Sequence, residues 1–161
     1  MIIGIDPGKS GAACMINEKG VIIRIIKFDN TDGDVSDAFV EETKRYNDCQ
    51  VDKLYAFIEK VHAMPKQGVS STFKFGRNYG FIQGLLTAYK IPYEYVTPQK
   101  WQKDMGCMSK GDKNITKAAA QQLFPQIKIT HAIADSMLIA EYGRRLMNTR
   151  SVQEPKSISK F

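Results

Sequence analysis

Cysteine is scarce in this 161-residue chain: Cys14, Cys49 and Cys107 are odd in number and far apart. That excludes a disulfide framework and a CxxC metal pair, and leaves three incidental thiols in a reducing compartment. Long hydrophobic runs are missing as well. The N-terminus is apolar for only five residues before Asp6, Pro7 and Lys9, too few for the core of a signal peptide. No stretch approaches the roughly 18 apolar residues of a membrane span. A soluble, cytoplasmic protein without a membrane partner is expected. Internal repeats and low-complexity segments are also lacking. Wholesale disorder is excluded by a composition that is 43% hydrophobic and 25% charged, ordinary for a globular domain.

What the chain has is an excess of positive charge, 23 Lys+Arg against 17 Asp+Glu, for a formal net charge of +6. The excess is uneven. Residues 1–59 carry 7 basic and 11 acidic side chains, residues 60–128 carry 11 and 3, and residues 129–161 carry 5 and 3. A basic stripe of this kind suits contacts to the phosphates of a nucleic acid, which weaken steeply with salt. A merely solvated surface is the other reading.

Three short β-rich runs at residues 1–6, 12–16 and 21–28 are joined by turn-like segments at 7–11 and 17–20. Such tight connections predict an antiparallel meander, because parallel pairs need a long crossover. An acidic loop at 29–37 precedes a helix over about 36–47. A strand at 54–60, a polar loop at 62–71, a helix over 71–89 and a short strand at 93–97 follow. Pro98 opens a turn or short helix. Helices are expected over 113–124, stopped by Pro125, and over 131–147, ahead of a basic, disordered tail at 148–161. The order β-β-β-α-β-α-β-α-α predicts an α/β domain over 1–147, a mixed five-stranded sheet flanked by helices. The first strand, apolar on both faces, should lie centrally.

Three carboxylates stand out against this frame. Asp6 ends a buried apolar strand and is followed by Pro-Gly, where burying an ionised group is costly without a partner; an Asx-turn is the plainer explanation. Glu59 ends another apolar strand, on the face of Phe57 and Tyr55. Asp135 lies in an apolar helix beside Ala132 and Ala134, small enough to let that helix approach the sheet. His131 is four residues earlier and on the same helical face. The pattern G-I-D-x-G also opens sugar kinases and actin-like ATPases, but those need a duplicated domain of more than twice this length. Clustered carboxylates bind hard cations such as Mg²⁺ or Mn²⁺. Two such ions about 3.5–4 Å apart can activate water and stabilise a leaving oxygen in phosphodiester hydrolysis.

The segments MIIGIDPGKSGAA, FIEKV and HAIADSMLIAEYGRR, in that order and spacing, resemble the RuvC family of Holliday-junction resolvases, most of all the versions carried by phages of Gram-positive bacteria. The resemblance implies an RNase H-like fold, a homodimer, and Mg²⁺-dependent endonucleolytic cutting of branched DNA, with Mn²⁺ able to substitute and two ions per site. Asp6, Glu59 and Asp135 fall on the family's acidic positions. The family's fourth metal-site residue stands three before the last Asp, where this chain has Ala132, and His131 is the candidate in its place. Lys100 and Lys113 fall near the positions of active-site lysines, with Lys103, Lys110 and Lys117 as alternatives. His62 occupies the place of a Phe that presses on junction bases. Lys66, Lys74 and Arg77 complete the expected DNA contacts. Gly76, Gly80 and Gly84 recur every four residues along one helix face, which suits close packing against the sheet or a dimer seam. A nuclease preferring forks or flaps, and an idle DNA-binding scaffold on the same fold, are the alternative functions.

Overall fold

The computed structural model describes residues 1–8, 10–49, 54–61 and 68–153. The elements run β1 (Ile2–Asp6), β2 (Ala12–Ile16), β3 (Ile22–Lys27), α1 (Asp32–Cys49), β4 (Tyr55–Glu59), α2 (Val69–Ala88), β5 (Tyr93–Val96), α3 (Pro98–Asp104), α4 (Lys113–Leu123) and α5 (His131–Gln153). One mixed sheet has the order β3-β2-β1-β4-β5, with β1 at its centre as expected. The first three strands form the antiparallel meander, and β4 and β5 continue the sheet in parallel. The two-residue period of β1 divides the core. Ile2 packs with Phe57 and α5, and Ile3 and Ile5 pack with Phe39 of α1 and Ile82 and Leu86 of α2.

The approach of α5 to the sheet depends on β1 as much as on the helix. A Cβ at Gly4 would lie 2.1 Å from the amide nitrogen of Ala140 and 2.3 Å from the carbonyl oxygen of Ser136. At Gly143 of α5 it would lie 2.3 Å from the Phe57 ring. These two glycines, more than Ala132 and Ala134, set the spacing that brings Asp135 to the strand ends.

Two boundaries differ from expectation. α1 begins at Asp32, inside the acidic stretch expected as loop. The Thr31 hydroxyl accepts from the Asp34 backbone N–H at 3.2 Å, and the Asp34 carboxylate accepts from the Thr31 N–H, also at 3.2 Å. This reciprocal pair has the form of a capping box, with acids favoured in the first turn. Pro98 opens the short helix α3, capped by Thr97, one of the two forms expected there. α5 continues past 147 to Gln153, so the expected boundary falls inside a helix. There Arg150 donates to Glu94 of β5 at 3.0 Å, and the Tyr55 hydroxyl donates to the same carboxylate at 2.6 Å. Residues 154–161 lie outside the described ones. No described helix is long and apolar enough to cross a membrane.

Candidate active site

Asp6 and Glu59 end adjacent parallel strands. One register step beyond the Ile5–Ile58 pair, both side chains fall on the sheet face covered by α5. The chain turns sharply around Asp6. The Gly8 N–H donates to Asp6 Oδ1 at 3.0 Å, so the Asx-turn is present. A Cβ at Gly11 would stand 2.1 Å from the Asp6 carbonyl oxygen, which leaves room only for glycine. From α2, the Asn78 amide donates to the carbonyls of Pro7 at 2.8 Å and Gly8 at 3.3 Å. Local and long-range bonds thus fix the loop that carries Asp6.

Glu59 is half-buried, and its Oε1 accepts from the indole N–H of the fully buried Trp101 at 2.9 Å. Asp135 faces the same region from the first turns of α5. Its Oδ1 is buried and has no hydrogen-bond partner among the described residues. The Thr116 hydroxyl of α4 lies beside it and favours its charged form.

All three carboxyls are pushed above their ordinary pKa range, and burial is the main cause for each. Glu59 moves from 4.5 to about 7, raised by burial first and then by the charges of Asp6 and Asp135, and held down by Trp101 and Lys113. Repulsion from Asp135 adds to the shift of Asp6, against the Gly8 N–H and Lys113. At Asp135, Thr116, Lys113 and His131 oppose burial.

An all-oxygen donor set with a partnerless buried oxygen and mutually repelling charges fits a hard divalent cation. The side chains are not drawn tightly around one: among the described residues, no three His, Cys, Asp or Glu side chains gather closely enough to hold a metal as they stand. The acids are electrostatically coupled and open.

The lysines separate sharply. Lys113, the first residue of α4, acts on all three acids. Lys100 pairs instead with Asp104 at 3.7 Å and interacts with Tyr142, because α3 points it along its own helix. Lys103 and Lys110 are exposed, and Lys117 is half-buried on α4. His131 is exposed at the start of α5, near enough to Asp135 to favour its charge. Lys74 and Arg77 of α2 line a groove with Ser10, Asp29 and Asn78, and Arg77 is ion-paired with Asp32. His62 and Lys66 lie outside the described residues. Trp101, Thr116 and Asn78 escape sequence reasoning. Of the three, only the lone Trp within the polar run TPQKWQK carried a signal.

An antiparallel meander continued in parallel by two strands, with helices on both faces, is an RNase H-like α/β fold. In its fold the chain is similar to the Thermus thermophilus RuvC structure, with a TM-score of 0.56 and 12% identity over 91% of this chain and 96% of that one. It is similar also to T. thermophilus RuvC in complex with Holliday junction substrate, with a TM-score of 0.58 and 12% identity over 90% and 94%. The likeness at that identity is one of fold, and the chain has a RuvC-like fold. No protein-family model and no curated protein sequence matches it.

Proposed function

We propose that this chain is a metal-dependent endonuclease that resolves four-way DNA junctions, acting as a homodimer. One observation carries the reading. Three carboxyls from β1, β4 and α5 stand near enough to interact where burial and mutual repulsion disfavour their charge, with Lys113 near enough to act on all of them. A protein that only bound DNA would be more stable without them. The similar RuvC solved with a Holliday junction substrate directs the choice of DNA.

Asp6, Glu59 and Asp135 would hold Mg²⁺ or Mn²⁺, with His131 as a further ligand from the edge of the site. A pair of such ions supplies an activated water and stabilises the departing oxygen. The chain's own part is to hold the ligands apart without metal and to keep Lys113 where charge develops on the phosphate. Lys74, Arg77, Lys103, Lys110 and Lys117, with His62 and Lys66 of the loop after β4, would contact the arms. In this reading Lys100 is an outer phosphate contact.

The glycine face of α2 supports the dimer. Among the described residues, a Cβ at Gly76, Gly80 or Gly84 would meet nothing within 4 Å, so packing against the sheet does not explain them. Val69 and Phe73 on the same helix are 88% and 72% exposed. A second copy would cover this strip and set two active sites for paired cuts.

Purified protein incubated with labelled four-way junction, fork and linear duplex, with and without Mg²⁺ or Mn²⁺, tests the proposal. Symmetric paired nicks confined to the junction and requiring metal are expected. Equal cutting of forks would favour a broader branched-DNA nuclease. Binding without any cutting would mean a scaffold.

A further inference from the structure

Trp101 is the only tryptophan in the chain, and none of its side chain reaches solvent. A buried indole needs a partner for its N–H, whereas a Leu or Phe would fill the same space without one. Here the partner is the Glu59 carboxylate, at 2.9 Å. The next residue serves a different segment. Gln102 Oε1 accepts from the backbone N–H of Ser109 at 3.1 Å and from its hydroxyl at 3.2 Å. Ser109 in turn accepts from the N–H groups of Gly111 at 3.3 Å and Asp112 at 2.9 Å. Lys110 and Gly111 occupy the left-handed region, with φ of 49° and 97°, so the loop reverses tightly. It ends at Asp112, the cap of α4, whose next residue is Lys113. Adjacent residues of one seven-residue helix therefore hold the end of β4 and the loop that presents the lysine.

We propose that α3 is a bracket for the active site: Trp101 positions Glu59 to bind the metal ion, and Gln102 positions Lys113. This rests on the reading of the three acids as metal ligands. Without the indole N–H, Glu59 is free to sample other rotamers, and ordering it falls to the ion. Outer partners of metal ligands change affinity by about 10- to 100-fold when removed. Without Gln102 the carboxylates are undisturbed, and only the placement of the lysine loosens. The two arms should therefore separate experimentally.

The full-length protein is titrated with Mn²⁺ by calorimetry as wild type, Trp101→Phe and Gln102→Leu, and each is assayed for four-way junction binding without metal and for kcat at saturating Mn²⁺. Trp101→Phe is expected to weaken Mn²⁺ binding about 10-fold or more, with metal-free junction binding unchanged. Gln102→Leu should bind Mn²⁺ within about twofold of wild type and lose about 10-fold in kcat, on the order of one positioned interaction. Unchanged Mn²⁺ affinity in Trp101→Phe, in a protein whose wild type cuts junctions, overturns the bracket alone. Equal weakening in both variants also overturns it, since general loosening would then be the cause. A wild type that binds no Mn²⁺ overturns the metal reading together with the bracket. Should Trp101→Phe fail to fold, the wild type decides by fluorescence excited at wavelengths the seven tyrosines do not absorb, because Mn²⁺ is a paramagnetic quencher and Trp101 is then the source of the signal. Saturable quenching by Mn²⁺ supports the bracket, and an unchanged spectrum overturns it.

Discussion

Glu59 shows the electrostatics of the site most directly. Its carboxyl titrates near 4.5 when unfolded and about 7 when folded. Between those values the folded protein keeps a proton that the unfolded chain has released, so raising the pH favours unfolding. Asp6 and Asp135 act in the same direction. Metal-free protein should therefore lose stability as pH rises, with the Glu59 contribution lost between about 4.5 and 7. Glu59→Gln should flatten much of that slope and raise the melting temperature at pH 8 by a few degrees. Thermal denaturation in chelator at pH 5 and pH 8 checks this; a variant that keeps the wild-type slope would locate the strain elsewhere. The lysines give a second prediction at this scale. Lys113→Met should lower kcat on a four-way junction by about 100-fold or more, as expected for loss of a group facing developing charge. Lys100→Met should stay within about threefold, since its amine is engaged with Asp104. Single-turnover cleavage at saturating metal distinguishes them, and a reversed order would exchange the assignments.

Glycines on two elements make opposite predictions. At Gly4 a methyl group would run into the backbone of α5. Gly4→Ala should cost about 3 kcal/mol or more and displace Asp135 from the strand ends. At Gly80 a side chain meets open space within one chain, so Gly80→Leu should fold normally yet sediment as a monomer. Denaturant melts and analytical ultracentrifugation read the two effects; a Gly80→Leu dimer of unchanged stability would remove α2 as the seam. Much of this architecture is legible in the sequence. The meander followed from two tight turns and the central strand from an apolar run on both faces, while the proposed site acids Asp6, Glu59 and Asp135 were marked by their places at the ends of apolar strands and within an apolar helix. What escaped depended on three-dimensional closure. The start of α1 was hidden because Thr31 and Asp34, a capping pair, look like any acidic loop. Lys100 and Lys113 are equivalent in spacing, and only the directions of α3 and α4 separate them. Asn78 and Trp101 reach partners 70 and 42 residues away, beyond any local pattern.

Across the whole molecule, the net charge of +6 divides by function. The acid-rich first third holds two of the three carboxylates, and the middle stretch supplies Lys113 and most of the exposed cations proposed to meet DNA. Junction affinity should accordingly fall steeply with salt, since each neutralised phosphate releases counterions. The metal affinity of the proposed three-carboxyl site, which is partly buried, should respond far less. Fluorescence anisotropy of a labelled junction and calorimetric Mn²⁺ titration, each at 50 and 200 mM salt, separate the two; equal salt dependence would mean that the cation stripe and the acid cluster are one surface. Whether the cluster around Asp6 carries out the proposed metal-dependent cleavage of DNA is decided by Asp6→Asn. The proposed role of Asp6 requires that this variant bind a four-way junction about as tightly as wild type and cut it at no measurable rate in saturating Mg²⁺ or Mn²⁺. Cleavage by Asp6→Asn at the wild-type rate would contradict it.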